Sequence, residues 1–207
     1  MNPTHIKVKH LNLDLDLLKR DARRINTKVI KEYGTREIPA NATYQSVLAD
    51  QLQEAPMSSK LHDFYNVFSF PYDGINQLYR EISSFFKEVN TYDEPYYIHG
   101  WLNYQTKGQS IPWHHHWKGL SGLDQTYVCS AYINAEPSVT TYKFDNGYIN
   151  AKQNINNTIT LYEDVGDIHM VDVWHQDEPR ISISMDMVPM KYIQGSKFLL
   201  NTWIPLV

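Results

Sequence analysis

Six of the nine histidines fall in one stretch of the chain, at His99, His114, His115, His116, His169 and His175. Neutral imidazole nitrogens are the commonest protein ligands for transition metals. His114 and His116 stand two apart, so in an extended segment both rings project from one face while His115 points to the other. Two ligands at i and i+2 on a strand, joined by a third from a distant strand, are what an iron site with open coordination positions requires. The helical pattern His-Glu-x-x-His is absent from the sequence, which argues against a metalloprotease. Histidine triplets also arise on surfaces without any ligand role, so spacing alone leaves both readings open.

A second constellation lies downstream. An apolar segment around Ile159-Thr160-Leu161-Tyr162 runs into a polar turn, then His169, then Arg180 eleven positions later at the head of Arg180-Ile181-Ser182-Ile183-Ser184. A guanidinium in a dry interior grips a planar carboxylate through two parallel hydrogen bonds, and Ser182 would face the same side of the strand. An arginine opening a strand is otherwise a surface residue.

The elements that must carry these groups differ between the two halves of the chain. Residues 1–95 read as helices and loops. The clearest helix opens at Asp73 as N-cap and runs to Val89, with Ile75, Leu78, Ile82, Phe85, Phe86 and Val89 on one stripe. A second spans 14–25, with Leu18, Ala22 and Ile25 at helical spacing, and a third spans 44–52. Beyond Pro95 the texture changes to short runs rich in Tyr, Val, Ile and Thr, which predict strands at 96–104, 126–133, 140–144, 157–162 and 180–188. Asp145-Asn146-Gly147 is the strongest hairpin signal. The expectation is a mainly β fold with N-terminal helices, a jelly roll forming one domain over 1–207. Residues 1–95 brace it, 96–190 form its core and 191–207 extend it.

Composition narrows the function classes. A net charge of -4 offers no field for a phosphate backbone, and the cluster Lys19-Arg20 with Arg23-Arg24 is interleaved with acids as on a solvated helix face. Nucleic acid is not the expected partner. The single Cys129 excludes an intrachain disulfide and sits in an apolar run, which fits a core position in a reducing cytoplasm. No run approaches the length of a membrane span, so the expectation is a soluble protein with a small-molecule or peptide substrate and no assigned oligomeric state.

Residues 96–189 resemble the iron(II)/2-oxoglutarate-dependent dioxygenases, which share a double-stranded β-helix, and in particular small oxygenases encoded by phages. The resemblance rests on Trp101-Leu102-Asn103, Gly108, His114-His115-His116, His169-Met170-Val171 and Arg180-Ile181-Ser182. It implies iron(II) held by His114, His116 and His169, and 2-oxoglutarate gripped at its distal carboxylate by Arg180 with Ser182. Asn103 and Tyr104 would assist, Tyr104 by its spacing from His114 as in the prolyl hydroxylase branch. Tyr132-Ile133-Asn134 is similar to a strand of that same branch. The implied activity is hydroxylation coupled to 2-oxoglutarate decarboxylation, with ascorbate as an optional reductant. One departure stands out: the common pattern is His-x-Asp, and this chain has His116 where the carboxylate falls, with His175 as an alternative distal ligand. The competing readings are a cupin-type enzyme using three histidines without 2-oxoglutarate, and a non-enzymatic jelly-roll module for binding or viral structure.

Overall fold

The computed structural model describes residues 6–36, 55–116, 125–144, 147–164, 168–193 and 203–207. The helix expected over 44–52, together with Asp145 and Asn146 of the hairpin signal, lies outside them.

Two helices form the outer layer. Asp14 caps α1 (Leu15–Tyr33) by accepting from the N–H groups of Asp16 and Leu17, which satisfies two donors of the first turn. Leu18, Ala22, Ile25 and Val29 bury one stripe of α1. The stripe continues past Ile25, so the helix runs eight residues further than its sequence pattern announced. After a single turn, α2 (Met57–Lys60), and two 3-10 turns at His62–Phe64 and Val67–Ser69 comes α3 (Asp73–Val89). Its apolar stripe is the expected one, but its cap is not Asp73. Tyr72 occupies the N-cap without any side-chain bond, and the carboxylate of Asp21 on α1 instead accepts the N–H of Gly74 at 3.0 Å. An anion from the neighbouring helix thus sits at the positive end of α3 and ties the two helices together.

The strands are β1 (Lys7–His10), β2 (Tyr96–Gln105), β3 (Ile111–His114), β4 (Tyr127–Asn134), β5 (Val139–Lys143), β6 (Ile149–Gln153), β7 (Thr158–Glu163), β8 (Ile168–Val171), β9 (Arg180–Pro189) and β10 (Ile204–Leu206). A short turn, α4 (Met190–Ile193), follows β9. They make a six-stranded sheet in the order β1-β7-β4-β9-β2-β10 and a four-stranded sheet in the order β3-β8-β5-β6. The strand pairings among the described residues are antiparallel. From β2 to β5 and again from β7 to β9 the chain passes from one sheet to the other at each strand, the winding of a double-stranded β-helix. β5 and β6 form the expected hairpin, and Gly147 in its turn has φ +79°, a conformation that glycine adopts without steric cost.

The alternation of β2, β4 and β9 divides the molecule into two interiors. One face of the large sheet carries Ile98, Leu102, Cys129, Ala131, Ile133, Ile181, Ile183, Met185 and Met187, which pack with the stripes of α1 and α3 into one hydrophobic cluster. The other face carries polar pairs in register: His99 with Asp186, Trp101 with Ser184, Asn103 with Ser182 and Gln105 with Arg180. This second face looks toward the small sheet, and the cleft between them holds the chemistry-bearing residues. Gly100 lets β2 lie close under the 3-10 turn: a Cβ there would stand 2.6 Å from the Phe68 ring and 3.0 Å from Val67.

Candidate metal centre

His114 ends β3, and His116 stands two residues further on, just past the strand. His169 lies on β8 directly opposite His114 in the register of the small sheet. All three are buried, and one ligand nitrogen from each comes within 4.8 Å of the others. The ring centroids lie 4.2 Å apart for His114 and His169, 5.2 Å for His116 and His169, and 5.5 Å for His114 and His116. Among the described residues this is the one such group of three. His115, between two members of the group, is half-buried and outside it, as the alternation of an extended chain dictates. His175 is exposed and stands outside this group.

The hydrogen bonds around the rings orient lone pairs inward. Nδ1 of His114 donates to the Pro112 carbonyl at 2.8 Å, which leaves its lone pair on Nε2. Nδ1 of His116 meets Oδ1 of Asp186 at 2.5 Å, and its Nε2 is buried with no hydrogen-bond partner. Nδ1 of His169 is likewise buried and unpartnered. Two orphaned imidazole nitrogens in a three-histidine cluster carry a desolvation cost that a bound cation would relieve, so the donor set fits a divalent metal. Burial and the neighbouring His116 push the His114 imidazole down to about 3, and burial with the other two rings holds His169 well below its ordinary value. Both are therefore neutral at pH 7, the form that ligates. For His116 burial alone would disfavour the imidazolium, but the charge and hydrogen bond of Asp186 outweigh it and hold the group above its ordinary value.

The same cleft contains Arg180, 1% exposed. Its Nε donates to Ser138 Oγ at 2.8 Å, and its Nη1 donates to Ser182 Oγ at 2.9 Å and Gln105 Oε1 at 3.4 Å. These partners are neutral, and no carboxylate among the described residues pairs with the guanidinium. Burial lowers it to about 10, so it remains charged near neutral pH. A buried cation without a counter-ion is costly, and a bound anion is the direct remedy. Tyr132 and Tyr142 line the cleft beside it. Asn103 lines it too, held by Ser59 Oγ at 2.6 Å and donating to Ser184 Oγ at 2.8 Å.

Tyr104 is placed elsewhere. It follows Asn103 on β2, so its side chain leaves by the opposite face and packs, partly buried, against the helix-side core. The phenols that do line the cleft belong to Tyr132 and Tyr142. Sequence reasoning passed over Tyr142 and Asp186, although Asp186 has the same parity as Arg180 and Ser182 on β9. Trp101 faces the cleft, whereas Trp174 is buried and donates to the Glu178 carbonyl, and Tyr127 belongs to the helix-side core.

No family model matches this sequence, and no curated protein matches it. The fold itself is that of the oxygenases that use iron(II) and 2-oxoglutarate. Among solved structures it is similar to the non-heme α-ketoglutarate-dependent carbocyclase SnoK from nogalamycin biosynthesis, at 10% identity over 90% of this chain and 81% of that one, with a TM-score of 0.56. A prolyl hydroxylase from Trichoplax adhaerens, in complex with a hypoxia inducible factor peptide fragment, matches at 11% identity over 95% and 89% with a TM-score of 0.55. A Pseudomonas putida prolyl-4-hydroxylase matches at 12% identity over 89% and 88% with a TM-score of 0.50. At these identities the likeness is one of fold.

Proposed function

We propose that the protein is an iron(II)/2-oxoglutarate-dependent oxygenase, most simply a hydroxylase of a small molecule or a peptide. The observation that carries the reading is the fully buried, carboxylate-free Arg180 in the same cleft as the three-histidine cluster. His114, His116 and His169 would hold the metal. Arg180 would take the far carboxylate of 2-oxoglutarate, with Ser182 and the phenols of Tyr132 and Tyr142 as polar neighbours in the same cleft. Asn103, fixed by Ser59 and Ser184, presents an amide to the same space. Bound together, iron(II) and 2-oxoglutarate supply the oxidising power, turning O₂ and the keto acid into succinate, CO₂ and an oxidised product. The protein's own part is to orient the dicarboxylate, to keep the cleft dry and to admit substrate beside the metal. Ascorbate would serve as an accessory reductant, and the single buried Cys129 suits a reducing cytoplasm. No helix among the described residues is long and apolar enough to cross a membrane.

The test is an anaerobic titration. Iron(II) followed by 2-oxoglutarate should produce a visible charge-transfer band, and succinate should appear once air is admitted. Arg180→Ala should keep iron(II) binding and weaken 2-oxoglutarate by about 2 kcal/mol or more, the scale of a charge-assisted hydrogen-bond pair. The all-histidine ligand set favours one second reading, a three-histidine metalloenzyme of cupin type. A metal-loaded protein whose spectrum and activity ignore 2-oxoglutarate would establish that reading instead.

A further inference from the structure

Three neutral imidazoles bring no negative charge to a metal, and position 116, where the resembling pattern has a carboxylate, is a histidine. The structure offers a carboxylate one hydrogen bond further out. Asp186 is the fourth residue on the polar face of β9, after Arg180, Ser182 and Ser184, and it reaches across the cleft to Nδ1 of His116 at 2.5 Å. The His116 side chain is 4% exposed and that of Asp186 12%, so the contact is screened little by solvent. His116 is the only ionic partner of Asp186 among the described residues. The opposite nitrogen, Nε2, is the buried atom left without a hydrogen bond beside His114 and His169. A carboxylate on one imidazole nitrogen fixes the tautomer, locks the ring and makes the other nitrogen a stronger donor, the common arrangement behind a histidine that ligates metal.

We infer that Asp186 is a positioning residue for the metal centre: through His116 it supplies the negative charge that the ligand set itself lacks. The inference rests on the metal-binding half of the proposed function and is independent of 2-oxoglutarate. The bland reading is a buried ion pair that merely holds β9 against the segment after β3. The two differ in what a metal would report.

The experiment is a metal-buffered titration of the apoprotein with Co(II), without 2-oxoglutarate, reading both the dissociation constant and the visible ligand-field bands. Asp186→Asn should weaken Co(II) about 10- to 100-fold and shift the bands. In the His116→Asp background, where a carboxylate can ligate directly, adding Asp186→Asn should change affinity less than about threefold, so the two substitutions are strongly non-additive. Should His116→Asp fail to fold, proton NMR of the Co(II) forms decides alone: a shifted, slowly exchanging Nδ1–H of His116 in the parent should vanish or exchange rapidly in Asp186→Asn. A lowered melting temperature with unchanged Co(II) affinity, bands and Nδ1–H signal would leave only the structural ion pair and overturn the inference. So would equal losses in both backgrounds. Failure of the parent to bind Co(II) overturns it together with the metal site, whereas Co(II) binding without any 2-oxoglutarate effect removes the oxygenase reading and leaves Asp186 to be judged on its own.

Discussion

At the scale of single residues, the cluster separates its members by geometry rather than by type. His114→Ala or His169→Ala should abolish stoichiometric iron(II) binding in an anaerobic calorimetric titration, while His115→Ala keeps it, because His115 stands outside the group. Equal losses at all three positions would contradict the alternation of the extended chain. The metal-free protein should also show what these rings cost. His114 and His169 titrate near 6.5 in an unfolded chain, but the fold holds them lower. Their contribution is therefore full above about 6.5 and is lost as pH falls toward the folded values, since the unfolded state takes up the protons first. His116 has the opposite sign, its contribution being full below its unfolded value and lost as pH rises through the higher folded one. The apoprotein's thermal midpoint should fall between pH 7 and pH 5, less steeply in His114→Ala; a midpoint that holds or rises on acidification would refute this. His114, His169, Arg180, Ser182 and Asn103, singled out in the sequence by spacing and resemblance, line one cleft because each follows the parity of its strand, and His116 joins the two histidines from just past β3. Spacing misplaced Tyr104, although two adjacent strand residues cannot share one face. Asp186 escaped because a hydrogen bond between distant segments leaves no local mark, and Tyr142 because only the pairing of β5 with β8 sets it beside His169.

At the scale of elements, the long strands β2, β4, β7 and β9 were visible in their aromatic and β-branched runs, as were the apolar stripes of both helices. The strands β1, β6, β8 and β10 are three to five residues long. Each has too few buried positions to show a period, and pairing with a longer neighbour is what makes it a strand. The start of α3 was misread for a related reason: the group that satisfies its first turn comes from another helix. Asp21→Ala should therefore destabilise the protein by about 1–2 kcal/mol in urea unfolding, although Asp21 lies on another helix. A loss under a few tenths of a kcal/mol would show that water serves Gly74 equally well.

At the scale of the whole molecule, the helices and the β-helix share one hydrophobic cluster. Deleting residues 1–95 would bare Ile98, Leu102, Ile181, Ile183, Met185 and Met187 along the back of the large sheet, a patch well beyond what monomers expose. The isolated 96–207 fragment should elute as aggregate on size-exclusion chromatography, and a monodisperse, cooperatively melting fragment would show that the sheet needs no cover. The alternation of β9 carries a consequence for how the chain finds this arrangement. Arg180, Ser182, Ser184 and Asp186 share a strand with Ile181, Ile183, Met185 and Met187, so sliding β9 by one residue against β2 or β4 would thrust a guanidinium and a carboxylate into the oily layer and methyl groups into the polar one. Every slip by an odd number of residues is penalised on both faces at once. The polar residues of the cleft thus also act as a gauge of correct assembly, and replacing them with apolar side chains should give a chain that collapses readily yet settles into several sheet registers.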